Sequence, residues 1–130
     1  MAWADQRYDD ETTHPLGLQR KRDRVRADTA LFRVYRELAA LRKAHLRLFV
    51  DGSLNWLRTD DARGVVVYDR VLGDERAVVA FNNGDSPQQI VVPGEGTYQA
   101  AWPAGRSVLS REGSIRFVLQ PHSSRVLILD

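Results

Sequence analysis

The sequence predicts a mainly β protein: an antiparallel β-sandwich, preceded by one amphipathic α-helix and an irregular N-terminal segment. Three observations carry that reading. Apolar residues recur at helical spacing between Thr29 and His45, and then switch to a period of two from about Leu46 to Asp130. Turn-forming clusters separate almost every pair of the apolar runs in that second stretch. The connections are also too short for parallel returns, which need a crossover of about a dozen residues or more.

The helix covers residues 29–45. Leu31, Tyr35, Leu38 and Leu41 follow at steps of four, three and three, and Phe32 and Ala39 widen the stripe; Arg33, Arg36, Glu37, Arg42 and Lys43 occupy the other side. Asp28 or Thr29 can cap the first turn by accepting from its unpaired amides, and Arg42, Lys43 and His45 suit the negative end of the helix dipole. One such helix cannot bury its stripe alone, and a sandwich fills its core with its own two inner faces. The face made by Leu31, Phe32, Tyr35, Leu38 and Leu41 is therefore expected to pack on a partner.

Strands are predicted at Leu54 to Arg58, Val65 to Leu72, Ala77 to Asn82, Gln89 to Val92, Thr97 to Trp102, Ser114 to Leu119 and Ser124 to Leu129. The turns between them include Asp60-Asp61-Ala62-Arg63-Gly64, Gly73-Asp74-Glu75, Asn82-Asn83-Gly84-Asp85, Pro93-Gly94-Glu95-Gly96, Pro103-Ala104-Gly105, Glu112-Gly113 and Gln120-Pro121-His122. The chain then divides into residues 1–45, comprising an irregular segment 1–28 and the helix 29–45, and a sandwich domain 46–130.

At 130 residues there is room for one ordinary core plus a segment that need not fold alone. Hydrophobic residues at 43% and charged residues at 28% match a soluble globular protein. No run approaches the roughly 20 apolar residues of a membrane span, and Met1-Ala2-Trp3-Ala4-Asp5 lacks the layout of a signal peptide, so the expected location is cytoplasmic. Without cysteine there is no disulfide framework and no thiolate chemistry. The net charge of +2 and the pI near 9.3 come largely from Arg20-Lys21-Arg22-Asp23-Arg24-Val25-Arg26. No aromatic residue lies among those cations, so the run reads as a solvated connector and not as a nucleic-acid arm.

Glycoside cleavage needs two carboxylates facing each other across the bond. Asp9-Asp10-Glu11 sits in irregular polar sequence, while Asp60-Asp61 and Asp74-Glu75 fall in predicted turns, so no catalytic pair is visible. His14, His45 and His122 lack metal-site spacing, and there is no Gly-x-Ser-x-Gly elbow or phosphate loop; no metal and no cofactor are expected. Aromatics remain, because sugars stack their apolar faces on exposed rings. Trp56 and Trp102 lie in predicted strands, where core packing is the expectation, and Trp102, beside Pro103 at a strand end, is the better candidate for exposure. Trp3 and Tyr8 fall outside any predicted core, and with Trp102 they form the candidate carbohydrate-binding set.

The stretch Leu31-Phe32-Arg33-Val34-Tyr35-Arg36-Glu37-Leu38-Ala39-Ala40-Leu41-Arg42-Lys43-Ala44-His45 resembles the last barrel helix of glycoside hydrolase family 13, the alpha-amylase superfamily, as found in maltogenic amylases, neopullulanases and cyclomaltodextrinases. Gly52 to Leu57, Val65 to Arg70, Ala77 to Asn83 and Leu119 to Leu129 resemble, in the same order, that family's C-terminal β-sandwich. Met1 to Asp5, Tyr8 to Glu11 and His14-Pro15 are similar to the segment joining the last barrel strand to the last helix. The resemblance implies a parent enzyme acting on alpha-glucans with retention of configuration. The family's nucleophilic aspartate, acid/base glutamate and third aspartate would lie before Met1, so this chain by itself is expected not to be an enzyme. A start at Met1 then implies a subcloned fragment or a start codon assigned at an internal methionine.

Two functional readings follow. In the first, the chain is the C-terminal fragment of an alpha-glucan-acting glycosidase and its sandwich has a structural, stabilising role. Its partner is then the missing barrel, with self-association through the uncovered helix as a second partner. In the second, it is a stand-alone starch- or maltodextrin-binding module. Neither involves nucleic acid or a membrane.

Overall fold

A short hairpin opens the computed structural model, which describes residues 5–130. Strand β1 (Glu11–Thr13) pairs antiparallel with β2 (Gln19–Asp23). The turn between them closes through Gly17 N donating to the His14 carbonyl at 2.8 Å and His14 N donating to the Leu18 carbonyl at 3.0 Å. Gly17 has φ of 73°, a conformation that L side chains rarely adopt. Arg20 pairs with Glu11 at 3.0 Å and Arg22 with Asp10 at 2.6 Å, so part of the basic run expected to be a plain solvated connector is a strand facing acids. The hairpin left no apolar alternation in the sequence because neither of its faces is buried. Exposed pairs of this kind contribute about 0–1 kcal/mol each.

Helix α1 (Thr29–Ala44) follows. Of the two candidate caps it is Asp28 that serves, with its Oδ1 accepting from Leu31 N at 2.9 Å. No residue of α1 is fully buried. The chain separates into two compact units, Met1–Leu38 and Ala39–Asp130, whose boundary falls within this helix. A second helix, α2 (Leu46–Asp51), comes at once, with Phe49 N donating to the His45 carbonyl at 3.1 Å. The sequence did not announce it, since six residues are too few to establish a helical period and Leu46, Leu48 and Val50 alternate as a strand would. Gly52 ends it, and a side chain there would collide with the Leu48 carbonyl.

Eight strands make the sandwich: β3 (Ser53–Asp60), β4 (Val65–Leu72), β5 (Glu75–Asn82), β6 (Gln88–Pro93), β7 (Thr97–Trp102), β8 (Val108–Leu109), β9 (Ser114–Leu119) and β10 (Ser123–Leu129). The larger sheet runs β3-β4-β5-β10-β7-β8, the smaller is β6-β9, and every pairing is antiparallel. Sequential neighbours pair where the turns are tight, as in β3-β4-β5, whereas β6 leaves the sheet of β5 and β7 to pair with β9. Strand β8, two residues long, was not predicted; it adds an edge beside β7.

The core fills the space between the sheets. Val65, Val67, Val78, Ala80, Tyr98, Ala100 and Leu127 come from the larger sheet, and Ile90, Val92, Ile115, Phe117 and Leu119 from the smaller. Burial alternates along β9 and β6, the signature of strands with one wet face. In β3 the register shifts between Trp56 and Arg58, which turns Leu57 toward the core and leaves Trp56 on the opposite face.

Two buried polar side chains tie the sheets together. Asn82, fully buried at the end of β5, donates through Nδ2 to the carbonyls of Ser86 at 2.9 Å, Gln120 at 2.9 Å and Leu119 at 3.3 Å, and accepts from Gly84 N at 3.1 Å. Nearer the other end of the strands, buried Asp69 accepts from Asn55 Nδ2 and from Arg76, whose Nη1 reaches the Pro93 carbonyl at 2.8 Å and the Tyr98 hydroxyl at 3.0 Å. Among the described residues no buried side-chain nitrogen or oxygen lacks a partner.

A third tie is electrostatic. Arg58 and then Arg63, both hydrogen-bonded to Asp60, hold its carboxyl below the usual carboxylate range. Arg58 also donates to the Gln89 carbonyl of β6 at 3.1 Å, so Asp60 orients a cation that spans the two sheets.

Asn82→Ala is expected to lower the unfolding free energy by about 2–4 kcal/mol, because several carbonyls lose their donor at a buried site. Urea denaturation measures it, and a loss under about 0.5 kcal/mol would show that the amide is dispensable. Folded Asp60 binds its proton more weakly than unfolded Asp60, so its contribution is present above the ordinary aspartate range and lost as pH falls through the folded midpoint. Carboxyl-carbon NMR should place that midpoint below the usual range, and Arg58→Gln should raise it; a midpoint indifferent to the substitution would discard the pairing.

Candidate functional site

The carboxylates that the sequence singled out go to separate places. Asp10 and Glu11 meet arginines of the N-terminal hairpin, Asp60 meets Arg58 and Arg63, and Asp61, Asp74 and Glu75 are exposed in or beside turns. Asp69, whose burial was not foreseen, is fully engaged with Asn55 and Arg76. His122 Nε2 lies 3.0 Å from Asp85 Oδ1, at a turn where His122 takes φ of 49°. Among the described residues no group of three or more His, Asp or Glu side chains is placed to hold a metal ion.

The outer face of the larger sheet carries one surface with recognisable chemistry. Register sets one row across five strands: Trp56 opposite Tyr68, Tyr68 opposite Val79, Val79 opposite Val126 and Val126 opposite Trp102. In the middle of that face Ala77, Val79 and Val126 are buried although they point away from the sandwich core, and α2, with fully buried Leu48, packs on β4 and β5. Toward β3 the face is open. The Trp56 and Tyr68 rings meet edge to face with centroids 5.6 Å apart, and Phe81 stacks on Tyr68 at 6.4 Å. Such rings offer a hydrophobic plate that suits either the C–H face of a pyranose or an apolar protein surface.

The order of exposure of the two strand tryptophans is the reverse of the expectation. Trp56, expected in the core, is 65% exposed, whereas Trp102, preferred for exposure, is half-buried before a cis peptide bond to Pro103. The bulge in β3 is the physical reason, because it sends Leu57 inward in place of Trp56. Tyr8 is half-buried and its hydroxyl donates to Gln6 Oε1 at 3.1 Å. Trp3 lies outside the described residues. Tyr68 and Phe81 were not singled out by the sequence: Val65-Val66-Val67-Tyr68 and Val78-Val79-Ala80-Phe81 are apolar at both parities, which hides the face each residue takes.

On α1, Leu31, Phe32 and Tyr35 are 43%, 50% and 57% exposed, and Leu38 and Leu41 are half-buried. The helix thus carries a second apolar strip that is open to solvent.

No family model matches the sequence, and no curated protein does. Solved structures do match by shape. An Anoxybacillus alpha-amylase superposes with a TM-score of 0.70 at 22% identity, covering 88% of this chain and 27% of that one. The Geobacillus thermoleovorans alpha-amylase, solved with acarbose, gives 0.71 at 22% identity over 82% of this chain and 24% of its own. A maltogenic alpha-amylase from Thermotoga neapolitana gives 0.60 at 15% identity, with 76% and 25% covered. The chain is therefore similar in fold to alpha-amylase structures, and it spans about a quarter of their length.

Proposed function

We propose that the chain is the C-terminal part of an alpha-glucan-acting, retaining glycosidase of the alpha-amylase superfamily, in which its sandwich stabilises the catalytic barrel and does no chemistry itself. The observation that carries this reading is the likeness to alpha-amylases over most of this chain and only a quarter of theirs. Residues 1–45 are then the last piece of the barrel, with α1 as its final helix, and residues 46–130 are the appended domain.

The uncovered strip on α1 supports the same reading. Fully burying a large apolar side chain is worth about 1.5–3 kcal/mol, and Leu31, Phe32 and Tyr35 forgo much of that while exposed. A barrel packed on this strip would recover it. In the isolated chain the same strip favours self-association.

A second reading is kept because Trp56, Tyr68 and Phe81 form an exposed aromatic plate: a stand-alone module that binds starch or maltodextrin. Titration with maltoheptaose separates the two. Unchanged tryptophan fluorescence and no heat of binding would remove the module.

The decisive test is an immunoblot of the source cells with antibody raised against this chain. A band heavier by at least roughly 250 residues, the size of a barrel, is expected. A band near 14.8 kDa would overturn the fragment and move the binding module to first place. The isolated polypeptide is expected to release no sugar from maltodextrin, and measurable cleavage would sink the reading. In sedimentation velocity the chain should associate as concentration rises, and Tyr35→Arg should restore the monomer. A wild-type chain that stays monomeric would count against a sticky helix face.

A further inference from the structure

From Gly52 onward the chain has eight arginines and no lysine. Four are committed: Arg58 and Arg63 to Asp60, Arg70 to the Gly52 carbonyl at 2.7 Å, and Arg76 to Asp69. The other four, Arg106, Arg111, Arg116 and Arg125, line one open cleft of about 550 Å³ between β8 and β9. No carboxylate lines it. None of these four side chains has a hydrogen-bond acceptor or an ion-pair partner among the described residues. Arg125 is half-buried, with its guanidinium 5.9 Å from the Phe117 ring, so it is held in place by packing and not by a counter-charge.

Four like charges around one cleft repel each other unless an anion sits among them. The guanidinium fork matches phosphate oxygens two at a time, and arginine is weakly hydrated, so it surrenders water to an anion more readily than lysine does. The rest of the lining is Ser107 and Ser114, whose hydroxyls bond Gln99 Oε1 and the Arg111 carbonyl, and an apolar wall on which Leu109 is 63% exposed and Val118 is 53% exposed. A bare phosphate has no use for that wall, whereas the C–H face of a sugar ring does.

We propose that this cleft binds a phosphate monoester of a hexose, the phosphate held by the uncommitted arginines and the ring resting on Leu109 and Val118. The site is separate from the aromatic plate of β3, β4 and β5, and it stands whether or not the chain belongs to a larger glycosidase. The phosphohexose can be a free sugar phosphate or a phosphate ester carried on a glucan.

Calorimetric titration of the full chain with glucose 6-phosphate, inorganic phosphate and glucose tests the proposal. Saturable binding of glucose 6-phosphate is expected, at least about tenfold tighter than inorganic phosphate, weakened by added salt, with no binding of glucose. Arg111 and Arg116 are exposed, so the double variant Arg111→Gln/Arg116→Gln should keep its melting transition and lose about tenfold or more in affinity. Arg24→Gln/Arg26→Gln, in the basic run, should bind as the parent does. Competition by a phosphorylated maltodextrin would assign the ester to a glucan, and failure to compete would assign it to the free sugar phosphate. The proposal is overturned by no saturable binding up to roughly 10 mM, by equal affinity for inorganic phosphate, or by a cleft variant that binds undiminished.

Discussion

The sandwich depends on joining a six-stranded sheet to a partner of only two strands, and buried polar ties do what the small apolar area cannot do alone. Asn82 gathers the carbonyls of Ser86, Leu119 and Gln120, so one amide fixes the chain where it enters β6 and where it leaves β9. Arg76 does the corresponding work at Pro93 and Tyr98, with Asp69 beneath it. Between these ties the core is a layer of valine, isoleucine, leucine and alanine that includes the rings of Tyr98 and Phe117. Apolar packing supplies the drive but no direction, while hydrogen bonds at buried sites are costly to leave unmade and so select one relative placement of the sheets.

Apolar surface remains exposed both on the sandwich and, separately, on α1. The outer face of the large sheet carries Trp56, Tyr68 and Phe81 beside the patch covered by α2, and α1 presents Leu31, Phe32 and Tyr35. Isolated exposed apolar residues are ordinary, but rows of them on a sheet face and a helix face are the mark of surfaces that meet something. In the fragment reading proposed above a barrel would cover the strip on α1, while the aromatic plate is the feature on which the binding-module reading rests. The arginine cleft has a different character, because it is charged, concave and free of carboxylates, and barrel packing gives no account of it.

Much of the architecture was legible beforehand. Strands β4, β7 and β9 begin and end where their apolar runs do, and the cap of α1 is one of the two residues that the sequence offered, Asp28 and not Thr29. The N-terminal hairpin, α2 and β8 were not legible, for one shared reason: each is too short or too polar to impress a period on the sequence. The candidate site was read only in part. Aromatic residue types pointed to stacking, but of the two strand tryptophans the exposed one is Trp56 and not Trp102.

Local patterning by itself determined the class of this protein, because a change of period from 3.6 to 2 and the turn residues at each break are properties of neighbouring residues. Tertiary structure alone decided which sheet β6 joins, which way Trp56 points, that Asn82 and Asp69 are interior, and that Arg106, Arg111, Arg116 and Arg125 share a cleft. Those facts depend on register, on a bulge and on strands far apart in the chain, and no spacing within one strand encodes them.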